Sequence, residues 1–476
     1  MKLCSMAGKM AVASLLGLVL FTACSDESSS TSFGINDGEK ESLSVLNELK
    51  TTFSWLYLIY IYGHERDEIA ESYDVYVGKG TEADAKNKFG QPSCTEEYYD
   101  VCYMFNQMRD PYTRYYSPLY APAAIEHYLM PPVEAIFIGA EYAPYDDQRK
   151  SYEVIEASEN AKEDELHVGD IFVGDEVSAL IPKDLTDTIE VSFNVTRGET
   201  TAKVNVRTTR ARRPTVHTHF EKTESGDSIP VILIREFDAK TVGGGTFSEF
   251  AEALEQTKGF KSLILDLRDN GGGDTEHCNA AASEFLSEGD TTTIDVEARV
   301  YGDSEGKHLF QKLDTNVVVT TKDGSAKDRY VVILANANSA SCAELMLSAI
   351  AVNKKSPVVG TLTYGKQIAQ YLIYTDPENE NAGVLPDPEG LAVITAIYAY
   401  DKNWEKYHDT GIVPDFEIAD RHEQMKKAVE LAVEGTATRT AGYGTERLGH
   451  FSKAADLPDG NSLRRDMKMR YTRIKW

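Results

Sequence analysis

Three short segments hold residue types that could do chemistry. The first is Asp266-Leu267-Arg268-Asp269-Asn270-Gly271-Gly272-Gly273, which closes an apolar run at 263–267. Glycines at a strand-to-helix turn leave backbone N–H groups uncovered and let a ligand approach closely. That suits a phosphate or an oxyanion, and equally a tight structural turn. The lysine and hydroxyl residue of a P-loop are missing and the pattern is not GxGxxG, so a nucleotide site is disfavoured. The second segment, Ser339-Ala340-Ser341-Cys342-Ala343-Glu344, follows the apolar run 331–335. A serine at the start of a helix sits where N–H groups stabilise negative charge. The same residues also read as a helix cap, with Ser339 or Ser341 at the N-cap and Glu344 completing a capping box. The third segment is Tyr364-Gly365-Lys366, with Gln370 four residues beyond the lysine.

In this order the segments resemble the C-terminal processing (tail-specific) peptidases. That family carries an Asp-Leu-Arg-x-Asn-x-Gly-Gly turn, a Ser-Ala-Ser run with a glutamate, and a Phe/Tyr-Gly-Lys followed by a glutamine. The interval from Ser341 to Lys366 matches the family spacing when the middle residue of the run, Ser341, is the nucleophile. Asp110-Pro111-Tyr112-Thr113 matches a motif that precedes the family's PDZ domain, and residues 130–208 occupy the PDZ position, with Val168-Gly169-Asp170-Ile171 as its Gly-Asp turn. Residues 391–396 and Gly411-Ile412-Val413-Pro414-Asp415 match the end of the catalytic domain, so the resemblance spans roughly 45–432.

The resemblance implies that Ser341 is acylated, that Lys366 is its general base, and that the backbone N–H groups of Gly272 and Cys342 form the oxyanion hole. A serine hydroxyl is a poor nucleophile until a base takes its proton. A lysine can do so only when neutral. An ordinary lysine pKa of about 10.4 must therefore fall to about 7–8, which demands roughly 3–4 kcal/mol from the surroundings. Gln370 suits the orienting role, because an amide oxygen accepts from a lysine without adding charge, whereas a carboxylate would raise the lysine pKa again. No cofactor and no catalytic metal are expected.

Some residues depart from the family pattern. Cys342-Ala343 replaces the usual Ala-Ser, which makes Cys342 a rival nucleophile, and His277 invites a Ser–His reading as in tricorn-like relatives. The segment 178–188, where a PDZ domain has its groove helix, is short and interrupted by Pro182. Phe137-Ile138-Gly139 is the candidate carboxylate-binding loop for substrate.

The elements that must position these groups follow from pattern. Residues 41–128 read as a helical region, with apolar spacing at Leu43, Leu46, Leu49, Phe53 and Leu56 and a second helix at 101–108 that ends in a turn at Asp110-Pro111. Residues 129–208 read as a small β-rich, PDZ-like domain, and 207–218, with Arg207, Arg210, Arg212 and Arg213, as a basic, solvated linker. Residues 209–435 alternate strands (231–234, 263–267, 330–335, 358–359) with helices (246–256, 280–286, 343–352). That alternation suggests an α/β catalytic domain, a ClpP/crotonase-like mixed sheet with helices. Residues 436–476 form a basic extension.

The chain has 476 residues and a net charge of −27, which argues against nucleic acid as a partner. Lys2 and Lys9, then an apolar run at 10–23 too short for a comfortable membrane span, then Leu20-Phe21-Thr22-Ala23-Cys24, resemble a bacterial signal peptide with a lipobox. Residues 1–23 would be removed and Cys24 lipidated, with 24–40 as a polar tether. Of the other cysteines, Cys94 and Cys102 lie close in a polar loop and are expected to pair. Cys278 and Cys342 flank the expected oxyanion hole, where a second bond could form. The resulting expectation is a lipid-anchored envelope endopeptidase, at the outer membrane, that cuts exported proteins near C-termini or in unfolded segments. The alternative is a non-catalytic, peptide-binding lipoprotein on the same fold. If Cys24 carries the anchor, Cys24→Ser moves the protein from the membrane to the soluble fraction; unchanged fractionation removes the anchor.

Overall fold

A computed structural model of the chain describes residues 73–441, except 88–89, 109–110, 130–134, 147–149, 159, 183–184, 212, 303–308 and 375–389, together with 470–471. The signal segment, Cys24, the tether and the helical pattern before residue 73 lie outside the described residues, as does most of the basic extension.

The architecture is mixed α/β with three six-stranded sheets. The first holds the glycine turn and the serine. Its strands run in the order Phe416–Glu417, Val358–Gly360, Tyr330–Ala335, Ser262–Asp266, Ser228–Ile234, Val216–Lys222. Neighbours are parallel except for the last pair. Aliphatic residues run unbroken through the central strands because both faces are covered. Val331 and Ile333 pack with Phe250, Phe285 and Met346, from helices Thr246–Gln256 and Cys342–Lys354 and the turn after Thr275–Ser283. Val332 and Leu334 point the other way, onto Ala428, Leu431 and Ala432 of helix Arg421–Ala441. The helix expected at 280–286 begins earlier, at Thr275, because the Asp274 side chain accepts from the N–H groups of Glu276 and His277 and caps it there.

The second sheet is antiparallel and holds Gln370. Strand Leu391–Tyr400 pairs with Ile368–Tyr374 along one edge, and with Arg114–Tyr116 and Thr291–Gly302 along the other. Thr291–Gly302 continues into Leu309–Val319. Neither this long pair nor the strand Arg114–Tyr116 is marked by local pattern. Pattern alone gives only a turn after the helix Tyr99–Asn106. That helix buries Val101, Met104 and Phe105 against Tyr115, Ile373 and Ile394, so the N-terminal segment is fastened to the sheet behind Gln370. Cys94 and Cys102 form the expected disulfide at its edge.

The third sheet, in the order Ala135–Phe137, Thr200–Ala211, Ile189–Arg197, Ile171–Val173, Ser151–Glu156, Glu141–Asp146, is antiparallel around Ile138, Val154, Phe172 and Val204. Its helix is one short turn, Gly174–Ser178, in line with the interrupted pattern before Pro182. The basic linker read at 207–218 requires correction. Thr200–Ala211 stays in the module sheet, Val216–Lys222 enters the catalytic sheet, and Arg213 forms a half-buried ion pair with Glu141. Arg213 thus joins the module to the catalytic sheet, while Arg210 donates to the Leu185 carbonyl within the module and Arg207 stays exposed. Helix Arg421–Ala441 likewise runs past the boundary expected at 435.

Candidate active site

Ser341 stands at the N-cap of helix Cys342–Lys354 with φ 55° and ψ −119°. A non-glycine residue in such a region costs about 1–3 kcal/mol and persists only where its surroundings hold it. Three backbone contacts do so. The Ala340 N–H donates to the Asn270 carbonyl at 2.9 Å, and the Leu345 N–H to the Ser341 carbonyl at 2.9 Å. The Ser341 N–H donates to Glu344 Oε2 at 3.0 Å.

Glu344 does more than close a capping box. Its buried carboxylate also accepts from the Lys366 N–H at 2.8 Å on Oε2, and from the Gly365 N–H at 2.7 Å and the Thr363 hydroxyl at 2.5 Å on Oε1. One side chain thus ties the serine's turn to the loop that carries the lysine. Burial pushes the Glu344 carboxyl up, and the four donors offset only part of that. Thr363 Oγ1 in turn accepts from the Ile412 N–H at 2.7 Å, and the Tyr364 N–H donates to the Ser339 carbonyl at 3.0 Å, so the loop is clamped from both sides.

The Lys366 ammonium lies over the ring of Tyr112, 4.8 Å from its centroid. Gln370 sits just past a register shift in its strand and donates from Nε2 to Thr395 Oγ1 at 3.3 Å. The Thr395 N–H donates to Thr113 Oγ1 at 3.0 Å. Tyr112, Thr113 and Thr395 were not among the expected site residues. The only sequence signal was the Asp110–Thr113 motif, and nothing local says which strand it meets.

The glycine turn packs directly on the serine. A Cβ on Gly272, whose φ is +105°, would stand 2.7 Å from Ser341 Cβ and 3.0 Å from the Cys342 nitrogen, so only glycine fits. The expected donor pair of Gly272 and Cys342 is therefore brought together. In this structure the Gly272 N–H donates to Asn270 Oδ1 at 2.8 Å. Asp266 and Arg268 stiffen the turn from below. Burial pushes the Asp266 carboxyl up, but Arg268 beside it outweighs this and leaves it below its ordinary value. Asp269 accepts from Asn336 and Asn338 and pairs with Arg421 at 2.8 Å.

Both rival nucleophile schemes lose their geometry. Cys342 is buried, with its thiol directed at the Gly273 carbonyl (3.3 Å) and at Cys278. His277 Nδ1 accepts from the Phe247 N–H at 3.1 Å. A neutral imidazole with Nδ1 as acceptor carries its proton on Nε2, which leaves no lone pair for a serine. Of the expected substrate loop, Phe137 ends a strand, Ile138 is buried in the module core and Gly139 has φ +82°, so only its backbone could meet a ligand. Among the described residues no cluster of His, Cys, Asp or Glu could hold a metal ion.

Residues 228–418 match the model of Peptidase family S41. That stretch, which holds the glycine turn, Ser341, Lys366 and Gln370, is thus similar to a peptidase domain of that family. The chain is similar to the "Probable CtpA-like serine protease" of Staphylococcus haemolyticus, at 29% identity over 48% of this chain and 40% of that protein. It is also similar to the "Carboxyl-terminal-processing protease" of Synechocystis, at 28% identity over 42% of this chain and 40% of that protein. The chain thus spans 40% of the length of each of these relatives. Among solved structures, the photosystem II D1 C-terminal processing protease aligns with 84% of this chain and 97% of its own at 15% identity and a TM-score of 0.45.

The Glu344 tether generates a prediction. Glu344→Gln keeps the size but turns an NH2 group toward donors. Activity on an unfolded protein substrate should fall at least about 100-fold, as when a site loses its geometry by about 1 Å, while circular dichroism stays near wild type. Wild-type turnover in Glu344→Gln would mean that the shared carboxylate does not set the site.

Proposed function

We propose that the protein is a Ser–Lys endopeptidase that cuts exported proteins near their C-termini or in unfolded segments, through an acyl-enzyme intermediate. The observation that carries this reading is the buried Glu344 carboxylate, which holds the backbones of Ser341 and Lys366 on one pair of oxygens. Ser341 Oγ attacks the scissile carbonyl while neutral Lys366 takes its proton, and the lysine then returns that proton to the leaving amine. The developing oxyanion meets the Cys342 N–H, and the Gly272 N–H once substrate displaces Asn270. Gln370, held by Thr395 through its NH2 group, keeps its carbonyl oxygen to accept from Lys366. Water, activated by the same lysine, completes the cycle.

The contact of Lys366 with Tyr112 defines the resting form in this scheme. An aromatic face stabilises the ammonium, not the amine. The base is therefore produced when the lysine leaves the ring for Gln370 and Ser341. The similarity to the Synechocystis carboxyl-terminal-processing protease supports a preference for C-terminal regions. The module at 135–211, with the backbone at 137–139, and a lipid anchor at Cys24 complete the proposal as substrate-holding and membrane-holding parts.

Ser341→Ala and Lys366→Ala should each abolish cleavage of casein or a tagged peptide, and Lys366→Arg should fail too, because arginine stays protonated. His277→Ala should keep substantial turnover. A dead His277→Ala beside an active Lys366→Ala would replace this mechanism by a Ser–His one. A protein that holds peptides without cutting them, with or without Ser341, is the non-catalytic alternative.

The pH profile tests the resting contact. Activity should rise with pH as Lys366 loses its proton. Removing the ring in Tyr112→Leu takes away about 0.5–2 kcal/mol of preference for the charged lysine. The acid limb of kcat/KM should then move about 0.4–1.5 units toward lower pH. An unmoved or raised limb would show that the ring does not hold the charged form.

A further inference from the structure

Cys278 and Cys342 are both buried, and their sulfur atoms lie 2.6 Å apart, about half an ångström beyond the bond length of about 2.05 Å. They belong to two different arms of the site. Cys278 is on helix Thr275–Ser283, which grows directly out of the glycine turn. Cys342 opens the helix that follows Ser341, and its own N–H faces Gly272. The two are 64 positions apart in the chain, so only the fold brings them together. The chain already holds one disulfide, Cys94–Cys102, which places it in a setting where thiols are oxidised.

We propose that Cys278 and Cys342 form a second disulfide that cross-links the two backbone arms of the oxyanion hole. The bond forms by exchange with a donor disulfide, either a protein dithiol oxidase or a small-molecule disulfide. The thiolate of one cysteine attacks a donor sulfur and expels the first donor thiolate, leaving a mixed disulfide. The thiolate of the other attacks the chain sulfur, closes the bond and expels the second. The two protons of the chain's thiols end on the donor, which is reduced by two electrons. Burial pushes the Cys278 thiol well up, so the exchange takes place before the two helices close over it. Closing the bond needs a shift of about half an ångström, and the resting geometry is thereby kept rather than rebuilt. The cross-link acts as a brace: it limits how far the glycine turn can move from the Cys342 N–H when charge develops on the substrate. This catalytic consequence rests on the proposed peptidase reading; the bond itself does not.

The experiment has two arms. In the first, wild-type protein purified without reductant is unfolded, alkylated and mapped by mass spectrometry. A linked peptide pair containing Cys278 and Cys342 is expected, and alkylation of both thiols overturns the bond. In the same arm, reduction should lower the wild-type Tm by several degrees more than it lowers that of Cys278→Ala/Cys342→Ala, in which only Cys94–Cys102 can be reduced. Equal losses also overturn it. In the second arm, Cys278→Ala, which keeps the Cys342 N–H, should lower kcat several-fold with KM unchanged. A linked wild type with an unimpaired Cys278→Ala would overturn the brace while leaving the bond. A protein with the linked pair and no peptidase activity would instead sink the function proposed above.

Discussion

A buried carboxylate with four donors holds this site together. Glu344 has lost its water, and a carboxylate in that position is tolerable only when hydrogen bonds replace it. The donors it recruits are the N–H of Ser341, the N–H groups of Gly365 and Lys366 and the hydroxyl of Thr363. Because the penalty for leaving any of them unpaired is large, the serine's strained turn and the lysine loop are locked to each other. Nearby packing follows from this lock. Gly272 must lack a side chain because Ser341 cannot retreat, and Gly365 and Gly411 face each other closely where the Thr363 loop is pinned.

Around that lock, the parts differ in how tightly they are held. The glycine turn is stiff: Asp266, Arg268 and Asp269 engage helix Arg421–Ala441 through Arg421 and Gln424. Arg421 also donates to the Pro144 carbonyl of the β-rich module, so the module edge and the turn share one guanidinium. Tyr142 of the module is flanked by Arg213 and Arg235, whose charges are partly met by Glu141. Lysine and glutamine, by contrast, lie half-buried where the chain passes from the first sheet to the second. There an aromatic ring from the N-terminal segment and a hydroxyl from a neighbouring strand are their partners. The glycine turn and the loop of Lys366 are thus held by different partners, the first by helix Arg421–Ala441 and the second by Glu344.

Much of this was legible in local pattern. The strands 330–335 and 262–266 are buried on both faces, so they appear as uninterrupted aliphatic runs, and the helix Thr246–Gln256 shows its apolar face at helical spacing. The glycine turn, the serine run and the lysine with its glutamine are short motifs whose residue types carry their meaning without knowledge of neighbours. Strands of the second sheet were harder. Arg114–Tyr116 has only three residues, and a strand that short declares itself only through its partner Leu391–Val393. The arginines at 207–213 looked like a solvated connector because composition cannot say that Glu141 waits across a layer.

The sequence by itself determined which groups could react and in what order they occur: a glycine turn, then Ser341, then Lys366 and Gln370. It determined also that Cys94 and Cys102 were near enough to pair. Tertiary structure decided everything that depends on which strand ends lie side by side. It set Tyr112 over Lys366, aimed His277 Nδ1 at a backbone N–H, turned Cys342 inward toward Cys278, and spent the Gly272 N–H on Asn270. The physical reason is that parallel strands deliver distant turns to one common edge, and their order across the sheet is settled by packing on both faces. No window of neighbouring residues contains that order.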